Sequence, residues 1–367
     1  MVVTVAKIRK KFVHVAELDG LRGLAALCVA FHHLVATSIN PLLWQRPVQW
    51  TYDVSKYGAF GVDIFFVLSG FLITSLLLLD RESPNYFHNF YWKRTLRILP
   101  LYLIVLGLLA WILPDARPYV VLSLLFISNF ANVFHVVADG PFWTLAIEEQ
   151  FYLCWPQFVR RMSPELLYRS ALLFCFLGPL LRLAAVAVRH HNFWPTPFRC
   201  DGLTMGAVLA CQNYLLGFQE DREVATRWWN KTGRWAALLG FTIVTTCVIA
   251  AHFSATELIA EALFLSGISL LSYGCIAYAL THPKSKLLSG FRNPVMIFFG
   301  DISYCFYITH LYIIRLYDHW CGSLQPGDVA ALILRAVVVI AITVLVCLFS
   351  RYMIERPAQS LRRYVLR

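Results

Sequence analysis

Apolar stretches of helix length recur along nearly the whole chain, and nothing constrains its fold more. They fall at about 20–39, 59–79, 96–113, 119–136, 143–159, 167–188, 200–217, 234–252, 257–280, 295–317 and 328–350. A hydrocarbon layer about 30 Å thick is crossed by about 20 helical residues, whereas strands of an outer-membrane barrel read as roughly ten-residue segments of alternating polarity. The pattern therefore predicts an all-α, polytopic membrane helical bundle. Composition agrees, since 59% of the 367 residues are hydrophobic and 14% charged, too little polar surface to cover a soluble globule.

The basic residues sort the ends of these stretches. Lys7, Arg9, Lys10 and Lys11 precede the first; Arg81, Lys93, Arg94 and Arg97 follow the second. Arg222, Arg227, Lys231 and Arg234, then Lys284, Lys286 and Arg292, then Arg351, Arg356, Arg362, Arg363 and Arg367 mark later connections and the tail. Positive residues stay on the cytoplasmic side, so both termini are expected there, at the plasma or inner membrane. Equal sidedness requires an even number of crossings. We expect about ten transmembrane helices and one apolar stretch that does not fully span. The candidates for that stretch are 119–136, with Asn129 and Asn132, and 143–159, with Glu148, Glu149 and Gln150. The expected organisation is a basic N-terminal segment (1–17), a transmembrane domain (18–357) and a basic cytoplasmic tail (358–367), with nothing after 350 long enough for a second domain. Placed this way, the net charge of +11 calls for a lipid bilayer and no nucleic acid. The ten cysteines show no CxxC pair and sit mostly in apolar runs, which suggests neither a disulfide framework nor a metal site.

Polar residues inside the stretches are the candidates for function, because such groups are costly in lipid and normally face protein or water. In LDGLRGLAALCVAFHHL, Arg22 and His33 are eleven positions apart, close to three turns, so they share a helix face; His32 points about 80° away. His33 should lie about 16 Å deeper than Arg22, near the bilayer midplane. GVDIFFVLSGFLI places Asp63 near a helix end, available to a basic partner, and Ser69-Gly70 at mid-span, where glycine lets another helix approach. In KRTLRILPLY, Arg94 and Arg97 share a face beside Lys93, and paired guanidiniums at a membrane edge suit phosphate. GPFWTLAIEEQFYLCWP carries Trp143 and two carboxylates about 100° apart, with Glu148 on the face of Tyr152 and Trp155. FRCDGLTMGAVLA offers Asp201 as a helix cap and Gly202 and Gly206 for close packing, while His190 and His191 read as an outward, solvated loop. In DISYCFYITHLYII, Ser303, Tyr307 and His310 form one polar stripe expected to face a cavity.

In order from LDGLRGLAAL to IERP, these segments resemble the acyltransferase-3 family of integral-membrane O-acyltransferases, which acylate O-antigen, peptidoglycan, exopolysaccharides and other acceptors. The family usually has Ser after the tryptophan of WTLAIEEQFYL; here it is Thr144, which keeps the hydroxyl. The resemblance implies an acyl-CoA donor, usually acetyl-CoA, bound from the cytoplasmic side, and transfer to a hydroxyl of a carbohydrate or other cell-envelope or natural-product acceptor. No metal is implied. Arg94, Arg97 and Lys93 would grip the donor's phosphates. His33 would be either general base or acyl-carrying nucleophile, with Arg22 on the same helix face a further member of the catalytic set or of the phosphate grip and Glu148 holding the imidazole. Trp143, Asp63, Ser69, Tyr307 and His310 would bind substrate or support the site. Two other classes remain open: a secondary transporter, for which paired Gly/Pro-interrupted segments are lacking, and a non-catalytic scaffold.

Overall fold

The computed structural model describes residues 14–37, 45–189, 192–218, 220–251, 253, 257–322, 324 and 328–365, and its regular structure is helical. The helices are α1 (Ala16–Ala36), α2 (Arg46–Lys56), α3 (Gly61–Leu79), α4 (Tyr86–Ile112), α5 (Arg117–Leu124), α6 (Phe142–Arg161), α7 (Pro164–Ala187), α8 (Cys200–Leu216), α9 (Arg222–Trp228), α10 (Arg234–Ala250), α11 (Glu257–Thr281), α12 (Pro294–Cys321) and α13 (Val329–Ser350), followed by a short helical tail. Among the described residues, eight helical runs are long and apolar enough to cross a membrane. Two more bundle helices fall outside that set. Helix α6 carries Glu148, Glu149 and Gln150 in its interior, and α8 has only 17 residues.

The stretch 119–136 does not form one continuous helix. Helix α5 ends at Leu124, and the chain turns through Ser128–Phe130 instead of continuing. Buried Asn129 explains the turn: its amide donates to Thr196 Oγ1 (2.9 Å) and accepts from Gln150 Nε2 (3.0 Å), so its polar group is satisfied against α6 and not exposed to lipid. The His190–His191 loop, Lys7 to Lys11 and Arg367 lie outside the described residues.

Close glycine contacts set the bundle's geometry. Helices α1 and α12, from opposite ends of the chain, run parallel and in close contact: a methyl on Gly20 would overlap the carbonyl of Phe291, just ahead of α12, and one on Gly300 that of Asp19. Likewise α3 and α8 interlock, Gly70 against Leu203 and Gly206 against Val67. Both contacts bring backbones close enough for dispersion to hold helices that gain little from apolar burial in lipid. Helix α13 turns its bulky apolar residues outward and buries Arg335, Val339, Thr343, Cys347 and Ser350 as one stripe. That is the reverse of a soluble helix.

Buried ion pairs complete the packing. Arg182 of α7, fully buried, donates to Asp201 at 3.1 and 2.6 Å, and Ser266 of α11 donates to the same carboxylate at 2.7 Å. Asp201 is therefore a bridge between helices. It was expected to cap α8, but it lies inside the first turn, and its carboxylate is taken by a neighbouring helix's guanidinium. Arg335 pairs with Asp318 (2.6 Å) and donates to the Leu34 carbonyl (2.9 Å), tying α13 to the far end of α1.

Candidate active site

The face of α1 bearing Arg22 and His33 lies against the face of α12 bearing Ser303, Tyr307 and His310. Arg22 donates to Ser303 Oγ at 3.1 Å, and one ring nitrogen of His33 lies 2.8 Å from one of His310. The two polar stripes are one seam. The neighbouring His32 is held elsewhere, its Nδ1 3.1 Å from the Ser55 carbonyl.

At the Arg22 end the seam opens into a cavity of about 250 Å3, whose polar lining includes Arg22, Ser69, Arg94, Arg97, Glu148 and Tyr307. Five of these residues come from four different helices besides α12, so the cavity exists only in the assembled bundle. Arg94 lies over the rings of Tyr152 (5.1 Å) and Phe90 (5.9 Å). Among the described residues no carboxylate lies within ion-pair distance of Arg94 or Arg97. The two guanidiniums therefore keep donors available to an anion. Lys93, one position along and so about 100° around α4, is turned away from the cavity and pairs with Asp80 at 3.3 Å.

Glu148 sits in this cavity, but it does not hold His33. Its carboxylate accepts from Ser69 (2.7 Å) and Tyr152 (3.0 Å). The face it shares with Tyr152 and Trp155 docks on α3, where Trp155 Nε1 donates to Thr74 Oγ1 at 2.8 Å. That docking aims Glu148 at the arginine end of the cavity. The partner expected for the imidazole is supplied by α12 instead. Glu149, about 100° around α6, faces a second cavity of about 390 Å3 on the other side of Arg94 and Tyr152, together with Gln150.

The remaining candidates are each tied to another segment of the bundle. Tyr307 lines the cavity, shares a 2.9 Å hydrogen bond with Thr144, and has its ring 6.1 Å from that of His310, so it stands between the cavity and the histidine pair. Asp63 finds the basic partner its position suggested, accepting from Arg199 at 2.7 Å. Arg199 in turn lies 5.3 Å over Trp143, which stacks on Trp194 at 5.3 Å. Arg182 and Arg335 were missed from the sequence, though each is an arginine in the interior of an apolar stretch, the signal that marks a buried partner.

The comparisons with known proteins bear on this arrangement. Residues 15–352 match the model of an acyltransferase domain. The chain is 28% identical over 380 residues to the peptidoglycan O-acetyltransferase OatA of Listeria monocytogenes, covering 95% of this chain and 56% of that protein. It is 26% identical over 378 residues to the putative peptidoglycan O-acetyltransferase YrhL of Bacillus subtilis, covering 95% and 55%. It is also 26% identical over 332 residues to a putative O-acetyltransferase of Staphylococcus aureus, covering 83% and 51%. The chain thus spans about half the length of the curated relatives it matches. No solved structure matches. Because the family model runs from the start of α1 to the end of α13, every bundle helix included, the chain belongs to the acyltransferase-3 family.

Proposed function

We propose that this chain is a membrane-embedded O-acyltransferase that moves an acyl group, most simply acetyl, from acyl-CoA to a hydroxyl of a cell-envelope glycan. The observation that carries the reading is the cavity in which Arg22, Arg94 and Arg97 gather beside Glu148 at one end of the seam that holds His33. A pyrophosphate and a ribose phosphate need several cation forks, and Arg94 and Arg97 stand without carboxylate partners among the described residues at the basic face of the bundle. The thioester arm then extends past Tyr307 along the α1–α12 seam towards His33. The acceptor hydroxyl gives its proton to His33, its oxygen bonds to the thioester carbon, the C–S bond breaks, and the thiolate leaves to be protonated in turn. In the covalent alternative His33 itself attacks the thioester carbon as the C–S bond breaks, and the acceptor oxygen then bonds to the acyl carbon as the N–C bond breaks, the departed thiolate taking the hydroxyl proton and the neutral imidazole being released. Glu148 offsets the positive charge of the arginines before the donor enters. Burial in the bundle keeps water from hydrolysing the thioester. The named relatives are peptidoglycan O-acetyltransferases, which favours a glycan of the cell wall as acceptor.

The test is release of free thiol from acetyl-CoA by the purified protein in liposomes, with mass spectrometry of envelope glycans from cells with and without the gene. Transfer should require His33 and Arg22, so His33→Ala and Arg22→Ala should each abolish it while the protein stays folded. Unchanged glycan acetylation together with no thiol release would overturn the reading.

A further inference from the structure

We infer that His310 is a positioning residue that fixes the tautomer of His33, setting Nε2 of His33 as the nitrogen that accepts the proton. The inference rests on the proposed role of His33, and the argument starts from a backbone carbonyl. Nδ1 of His310 lies 2.9 Å from the carbonyl oxygen of Phe306, one turn back on α12. A carbonyl oxygen can only accept, so Nδ1 of His310 carries the hydrogen. In a neutral ring the other nitrogen then offers a lone pair. That nitrogen, Nε2, is the one 2.8 Å from Nδ1 of His33. His33 must therefore donate from Nδ1, and its Nε2 is left unprotonated.

The hydrogen-bond chain thus runs from His33 to His310 to the Phe306 carbonyl, with each polarity dictated by the fixed acceptor at its end. It does the work that a carboxylate does beside a catalytic imidazole: it selects one tautomer, holds the ring plane, and accepts from the imidazolium that forms when Nε2 takes a proton. A neutral relay suits this place in the fold. His310 is 2% exposed, in mid-bundle, where a second buried carboxylate would demand a counter-ion of its own. The groups that bear on His33 electrostatically are His310, His32 and Arg315. Of these, His32 is held by the Ser55 carbonyl and Arg315 is paired with Asp139, which leaves His310 to orient the ring. Packing locks the relay, because the His310 ring stacks at 12° on Phe306.

Two measurements test this. In the full-length protein in detergent, nitrogen-15 chemical shifts of labelled histidine should give His33 protonated on Nδ1 and bare on Nε2. The His310→Phe variant should lose that preference and lower kcat for acetyl transfer by about two to four orders of magnitude, the scale of general acid–base catalysis, with the KM for acetyl-CoA little changed. His310→Gln places an amide oxygen where Nε2 stood and should restore the tautomer and most of kcat. A wild-type His33 protonated on Nε2 would overturn the inference, as would an unaltered kcat in His310→Phe. If the wild type shows the expected tautomer yet transfers no acyl group, the proposed function fails and the assignment of the relay stands.

Discussion

Individual residues of the site were legible where helical periodicity alone decides. Arg22 and His33 share one face, and so do Ser303, Tyr307 and His310, because 3.6 residues per turn dictate it. What periodicity cannot say is which helix a face meets. Glu148 was expected beside His33 since both are titratable and deep, yet Ser69, Tyr152 and the Trp155–Thr74 contact rotate α6 towards α3, and His33 meets α12. The same limit explains Lys93, whose neighbours in sequence face the cavity while it pairs with Asp80. For Arg97, which lines the cavity without a carboxylate partner among the described residues, loss of a charge-assisted hydrogen bond of about 1.5–3 kcal/mol should raise the KM for acyl-CoA roughly ten- to a hundredfold. Steady-state kinetics of Arg97→Ala checks this, with Lys93→Ala expected to leave the KM nearly unchanged. Equal effects of the two would count against phosphate binding at this edge.

At the scale of elements, most helices were visible as apolar windows, and their ends were not. Helix α4 begins at Tyr86 and not near residue 96, because an apolar window stops at KRTLR although the helix does not. Such an end is amphipathic, with Phe90 buried and Arg94 reaching the cavity. Glycine spacing was informative in a different way: Ser69-Gly70 and the GLTMG segment were each read as close-contact sites, and they prove to be each other's partners. Gly70→Leu must push α3 from α8 and should cost at least about 1–3 kcal/mol, the usual range for overpacking, read as a lower melting temperature of the purified protein. The Arg182–Asp201 pair gives a second check. Removing one partner strands a buried charge, so Asp201→Leu alone should destabilise by about 3–5 kcal/mol, whereas Arg182→Met with Asp201→Leu should recover most of that loss. Thermal unfolding of the two variants distinguishes a pair that holds the helices from one that is dispensable.

For the whole molecule, charge at the ends of stretches told more than composition did. Arg292 bonds Glu17 at 2.7 Å and Arg351 bonds Asp301 at 3.1 Å, so the start of α1, the α11–α12 connection and the end of α13 lie at one face of the bundle. Arg315 with Asp139 and Arg335 with Asp318 mark the opposite face. If the basic face is cytoplasmic, as the positive-inside rule requires, a cysteine at exposed position 290 should react with an impermeant thiol reagent only in inverted vesicles, and one at Val137, 86% exposed, only in intact cells. The opposite pattern would invert the molecule and remove the donor from its proposed side. The parallel seam of α1 and α12 also has a bearing on biosynthesis. Its two halves are 277 residues apart at the histidine pair, an interval that a ribosome covers in roughly fifteen to sixty seconds at about 5–20 residues per second. Throughout that time the first helix waits without its mate, carrying the guanidinium of Arg22 and the imidazole of His33 without their α12 partners. Truncation anywhere ahead of α12 therefore leaves His33 and Arg22 without the His310 and Ser303 that meet them.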